Sequence, residues 1–451
     1  PWFEFAAWKQ VYGNIIHLKL VNKHMIILNS KKAALDLLEA RSNIYSNRPQ
    51  SVLLDELLDF DDEVFRVQSD DPRFKIHRRM MHSGLGPRAV REYRPLQTQE
   101  TSTMLRSMAD DPDNFIAHFR RQVAYGYTVT ETDDRFVQLV EEQFELVEKK
   151  FSLPYMVEFF PILRYLPSWL PFLGFRKAEK IANETGKIDH IPYEWAKQQF
   201  ESGNCLDSFF TRFYQKEDGS ALSKDEERIL MRVCGAIYKG GADTTVGVLT
   251  SFVYLMETHP EVQKRVQAEI DAATGGERLP LPDDEGKMPY LAAVIKETIR
   301  WSPVAPMGIP HSVKQDDIYD GYLIPKGSQV IANIWYATLW IIVPHRVRSN
   351  ECPAGQSHTT QMSIPIQMPL TLSDILEITH NKIRLISCLD LVVAHAQNTS
   401  NILAVFNIEK KLNAQGKPIE PQVEFHGSIV SHLNDFPVKM IVRAPHLLPA
   451  A

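Results

Sequence analysis

Lys239-Gly240-Gly241-Ala242-Asp243-Thr244-Thr245 interrupts a long apolar helical pattern with two glycines, an acid and two alcohols. A helix interior favours Ala or Leu, and each Gly costs up to ~1 kcal/mol there, so something must use the space the glycines leave. The pattern has a start signal in the capping-box residues Ser223 and Glu226 and a stop at His259, before Pro260. At ~1.5 Å per residue such a helix spans roughly 54 Å. Lys239 and Asp243 argue against a membrane span, since each costs ~2.5–3.5 kcal/mol at mid-bilayer.

Further along, Lys296-Glu297-Thr298-Ile299-Arg300-Trp301 puts Glu297 and Arg300 three apart on one face of an amphipathic helix, where they can form a bidentate pair. Each motif has an ordinary reading by itself. A Gly-Gly step marks close helix packing, and an E-x-x-R pair is commonly a surface contact worth ~0.2–0.5 kcal/mol. In this order and spacing, the two together resemble the cytochrome P-450 family of haem-thiolate monooxygenases. The aromatic, proline-rich wording at Phe159-Phe160-Pro161 and Tyr165 to Pro171 resembles fungal microsomal members.

The resemblance implies a mainly α fold with a small β lobe, one domain over residues 1–451 built around the long central helix and disrupted around 338–388. It implies a haem-dependent monooxygenase that inserts one atom of O₂ into a lipophilic small molecule, in the setting of fungal secondary metabolism. The implied cofactor is heme b with its iron, and electrons come from NADPH through a reductase partner. The implied location is the cytosolic face of the endoplasmic reticulum membrane, with the N-terminal anchor missing from this chain. By position, Asp243 and Thr244 deliver protons and Gly241 opens the groove for O₂. Arg78 and His311 meet the haem propionates, and Glu297 with Arg300 is a structural pair. At Phe74-Lys75-Ile76-His77-Arg78 the family usually has W-x-x-x-R; Phe74 lacks the Trp N–H donor, which leaves Arg78 to make that contact alone.

Composition agrees with this class. A 44% apolar content over 451 residues suffices for a large core. The net charge of −6 gives no electrostatic reason for a nucleic-acid partner. Cys205, Cys234, Cys352 and Cys388 show no C-x-x-C spacing and no disulfide framework. Residues 14–29 read as two strands around Asn22-Lys23, and Ser30 caps a helix running through Arg41. The stretch Ile318 to Ala332 reads as a hairpin turning at Pro325-Lys326-Gly327. Ile402 to Phe406 resembles the end of the helix that leaves the haem cysteine, and Val423 to Arg443 the terminal hairpin that lines the pocket.

One part of the pattern is missing. The family holds its thiolate in F-x-x-G-x-R-x-C-x-G, and neither Cys352 nor Cys388 carries those neighbours. Counting back from Phe406, the ligand register falls on Ile386, so Cys388 lies two residues out. The stretch has nearly the family's length but not its sense, as a reading-frame or splice-boundary error would leave it. Two readings therefore stand open: a monooxygenase with Cys388 as the nearest available ligand, or a non-catalytic helical remnant that binds lipophiles without a haem thiolate.

Overall fold

A computed structural model of the chain describes residues 1–120, 135–136, 138–139, 142, 156–165, 175–216, 219–339, 389–427 and 430–449. Helix α1 (Trp2–Tyr12) leads into a hairpin of β1 (Ile15–Leu20) and β2 (Lys23–Leu28), turned at Val21 with φ 56°. Helices α2 (Pro72–Leu85), α3 (Arg94–Asp110), α4 (Phe175–Glu201), α5 (Lys224–Thr258), α6 (Pro260–Thr274) and α7 (Pro289–Trp301) follow. Next come β3 (His311–Ser312), β4 (Asp317–Tyr319), β5 (Tyr322–Ile324) and β6 (Gln329–Ala332). Helix α8 (Leu389–Val405) runs into β7 (Phe406–Lys410), ahead of β8 (Phe425–His426), β9 (His432–Leu433) and β10 (Val438–Val442).

The central helix forms as its sequence predicts. Ser223 Oγ accepts from the Glu226 N–H while the Glu226 carboxylate accepts from the Ser223 N–H at 2.8 Å, closing both arms of the capping box. Pro260 cannot continue the helix and opens α6 instead. Helix α5 runs on through Gly240 and Gly241, where the Thr244 hydroxyl donates to the Gly240 carbonyl at 2.6 Å. This back-bonding satisfies the hydroxyl without opening the backbone ladder.

Successive halves of α5 enter different cores. Val246, Leu249, Phe252, Val253 and Met256 pack with Leu291, Val294 and Ile295 of α7 and with Ile402, Leu403 and Val405 of α8. Earlier along the helix, Leu230, Val233, Cys234 and Tyr238 pack with Ile188 and Tyr193 of α4. Each such aliphatic or aromatic burial contributes about 1.5–3 kcal/mol, so α5 is the element both halves of the molecule are built upon. Tyr254 stacks on Trp301 with centroids 5.4 Å apart and planes at 4°, and Ser251 Oγ meets Ser302 Oγ at 2.9 Å. These contacts lock the E-x-x-R helix onto α5.

The β lobe is a four-stranded sheet ordered β1-β2-β6-β3, with β2 and β6 parallel. Two expectations need correction here. The hairpin in 317–324 turns at Asp320-Gly321, where φ values of 53° and 79° suit a tight two-residue turn, not at Pro325-Lys326-Gly327. The latter turn, with Gly327 at φ 79°, instead sends the chain into β6. Likewise, Val423 to Arg443 is not one hairpin: β8 pairs with β9, while β10 pairs with β7. The helix capped by Ser30 runs as expected to Arg41, widening over Leu35–Ala40 so that the Arg41 N–H bonds to the Asp36 carbonyl. Among the described residues, no helix is long and apolar enough to cross a membrane.

Candidate functional site

Asp243 and Thr244 follow two glycines of the central helix that leave room. An added Cβ at Gly240 or Gly241 would meet nothing within 4 Å, so the helix flank there borders open space, as the glycine usage implies. Asp243 Oδ2 lies 3.0 Å from Nε2 of His432 on β9, with side-chain exposures of 17% and 23%. Nothing in the sequence pointed to His432; only the fold carries the terminal strands back over α5.

One helical turn before Asp243, Lys239 enters a buried charge cluster. Its Nζ sits 2.9 Å from both Glu63 Oε1 and Asp189 Oδ1. Arg232 reaches Asp62, Glu63 and Asp189 at 2.8, 3.1 and 2.9 Å. Burial pushes the Glu63 carboxyl up, against the pull of Lys239. The cluster ties α4 and the 59–63 segment to α5. Gly235 is required for it, because a Cβ there would meet Asp189 Oδ1 at 1.9 Å.

The two residues expected to meet haem carboxylates behave differently. Arg78 is exposed on α2 and makes no hydrogen bond or ion pair with other described residues that would compete for an anion. His311, at the start of β3, is fixed by the Tyr45 carbonyl, 2.8 Å from its Nδ1, which therefore carries the proton. Burial, reinforced by Arg48, pushes its pKa down to about 4. Arg48, which the sequence reading had not singled out, donates to the carbonyls of Ile309 and Pro310 at 3.0 and 3.1 Å. Its own pKa is pushed down to about 10 by burial and by Arg66. A half-buried cation held, among the described residues, by two carbonyls is chemically suited to an anionic group, whereas the neighbouring neutral imidazole could join only once protonated at Nε2. The Arg-Pro step at 48–49 was the available signal.

Glu297 and Arg300 pair as expected, Nε to Oε2 at 2.7 Å, at 8% and 16% side-chain exposure. Cys352, Cys388 and residues 340–388 lie outside the described residues, and 338 and 339 end a short helix. Of the described cysteines, Cys234 is packed against α4 and its thiol is driven up by burial, so it is no thiolate donor. The structure thus brings Arg48 beside His311, a pairing of cation and imidazole of the kind an anionic group needs, while Arg78 remains exposed on α2.

A family model described as cytochrome P-450 matches residues 1–339. The chain is 32% identical to the cytochrome P-450 monooxygenase claR of Ampulloclitocybe clavipes, over 98% of this chain and 83% of that protein. It is 31% identical to the tryptamine 4-monooxygenase of Psilocybe cyanescens, over 99% of this chain and 89% of the relative. Among solved structures, a zebrafish cytochrome P-450 with abiraterone superposes at a TM-score of 0.71, covering 98% of this chain and 100% of that one. At 18% identity that likeness shows the fold.

Proposed function

The chain belongs to the cytochrome P-450 family of haem-dependent monooxygenases, and on that premise we propose that it oxidises a lipophilic small molecule with O₂, taking electrons from NADPH through a partner reductase. The observation that carries this reading is the acid–alcohol pair Asp243–Thr244 beside the open flank of Gly240 and Gly241. Haem, when bound, supplies the oxygen-activating chemistry. The chain's own residues do the rest. Arg48, Arg78 and His311 hold the propionates. His311 has its Nδ1 proton committed to Tyr45, so it can donate to a carboxylate only by taking a second proton at Nε2. The Asp243 carboxylate accepts and passes on protons at the groove, and Thr244 can release its Gly240 bond to join that relay. The cysteine nearest the ligand register is Cys388, two residues out and without the family's flanking glycines, so it is the first candidate for a thiolate that no cysteine of the chain fits well. Similarity to a tryptamine 4-monooxygenase makes an aromatic amine a first substrate to assay.

The ferrous–carbon monoxide spectrum of the haem-reconstituted protein tests this. A red-shifted Soret band lost in Cys388→Ser supports the assignment, and loss only in Cys352→Ser moves it to that residue. No such band from the unmodified chain would favour the non-catalytic remnant instead.

A membrane-surface location rests on a separate observation. Leu20 and Val21 at the β1–β2 turn, and Phe160, Ile162 and Tyr165, are all exposed. Asn22 donates to the Phe159 carbonyl at 3.0 Å and Lys23 pairs with Glu158, so the two segments form one apolar patch. Flotation with phosphatidylcholine vesicles should be lost in the double variant Val21→Ser, Ile162→Ser; unchanged flotation would exclude the patch.

A further inference from the structure

The terminal strands bring an imidazole onto the acid that the proposed chemistry uses. His432 Nε2 and Asp243 Oδ2 are 3.0 Å apart, and an ionised carboxylate only accepts, so Nε2 must carry the shared proton. The other groups close to Asp243 along the helix are engaged elsewhere. The Thr244 hydroxyl donates to Gly240, and Lys239, one turn away, is held by Glu63 and Asp189. His432 is therefore the donor that orients this carboxylate among the described residues.

The hairpin that carries His432 is itself fixed. The Ser431 N–H donates to the Val304 carbonyl at 2.7 Å, anchoring it to the segment after α7. Leu433 is buried in the main core, and Phe425 and His426 pair across to Leu433 and His432. Gly427, at φ 100°, makes the turn possible, since a Cβ there would meet the Val430 carbonyl oxygen at 2.0 Å. On the solvent side, the ring of exposed His426 lies 5.7 Å from that of His432. A rotatable carboxylate on a helix flank has been given one rigid partner.

We propose that His432 is a positioning residue for proton delivery: it holds Oδ2 of Asp243 and leaves Oδ1 to exchange protons at the groove. The inference rests on the role assigned to Asp243 above. It makes the terminal hairpin, and not the central helix alone, responsible for aiming the acid.

The contact is tested without haem, by long-range ¹⁵N–¹H spectra of the histidine-labelled full chain, with the His432 signal assigned by its loss in His432→Gln. The expected result is an Nε2-protonated ring whose pattern changes in Asp243→Ala. A ring protonated only at Nδ1, or one indifferent to Asp243→Ala, would overturn the proposal. The role is tested in the reconstituted enzyme with reductase. His432→Ala should lower product formed per NADPH consumed by roughly tenfold while NADPH oxidation continues, and His432→Gln, whose amide N–H can still donate, should restore most of it. A merely structural role would lower folded yield or Tm in both variants and leave product per NADPH unchanged, and that result would also overturn it. If the unmodified chain forms no product, the monooxygenase reading fails, and the spectra still decide whether His432 orients Asp243.

Discussion

Glu297 and Arg300 illustrate what a single residue contributes here. Both side chains are largely withdrawn from water and each satisfies the other through two N–H···O contacts. The Coulombic gain of a buried pair mostly offsets desolvation, so its presence adds little net stability, but its disruption is costly. Glu297→Ala strands the guanidinium and should destabilise the fold by about 3–5 kcal/mol in urea unfolding. Coupling below ~0.5 kcal/mol in a double-mutant cycle with Arg300→Ala would instead mean a solvated pair.

Within the central helix, glycines that look alike in sequence have opposite uses. Gly235 is filled against: a Cβ there would meet the Asp189 carboxylate of α4 at 1.9 Å. Gly235→Ala should therefore cost about 1–3 kcal/mol by forcing α4 away, although Gly→Ala in a helix interior ordinarily stabilises. Gly240 and Gly241 face open space. Alanine at either should raise stability by about 0.5–1 kcal/mol and lower turnover, because the methyl group occupies the groove. Thermal melts and product assays on the three variants check this; a destabilised Gly241→Ala would mean that the flank is packed.

For the molecule as a whole, two buried titratable groups set opposite limbs of a pH–stability profile. The Glu257 carboxyl, 3% exposed with neither oxygen hydrogen-bonded among the described residues, has its pKa pushed up to about 8 by burial, only partly opposed by Lys410. The unfolded chain releases that proton near 4.5 and the folded chain keeps it to about 8, so stability declines as pH rises through this window. His311 acts in the other direction: the unfolded chain takes a proton near 6.5, the folded one near 4, so stability is lost as pH falls between them. By linkage across these windows, Glu257→Gln should flatten the alkaline limb by about 4 kcal/mol at pH 8, and His311→Asn the acid limb by about 3 kcal/mol at pH 4. Denaturation midpoints from pH 4 to pH 9 read both, and limbs unchanged by these variants would locate the titrating groups elsewhere.

The sequence by itself determined the central helix and its ends, the Glu297–Arg300 pair and the acid–alcohol step, because each is written in residues no more than four positions apart. Capping, helical spacing and glycine cost all act at that range. The strand pairings were less legible. Asp320-Gly321 and Pro325-Lys326-Gly327 are both turn signals, and only the parallel pairing of β6 with β2 selects which one closes the hairpin. Tertiary structure alone decided that Asp243 meets His432, 189 positions away, and that Lys239 shares two carboxylates with Arg232. It also brought Arg48 beside His311. Such contacts leave no periodic trace, since a charged or imidazole side chain reads the same in sequence whether it faces water or a buried partner; burial, which the whole fold sets, makes the difference.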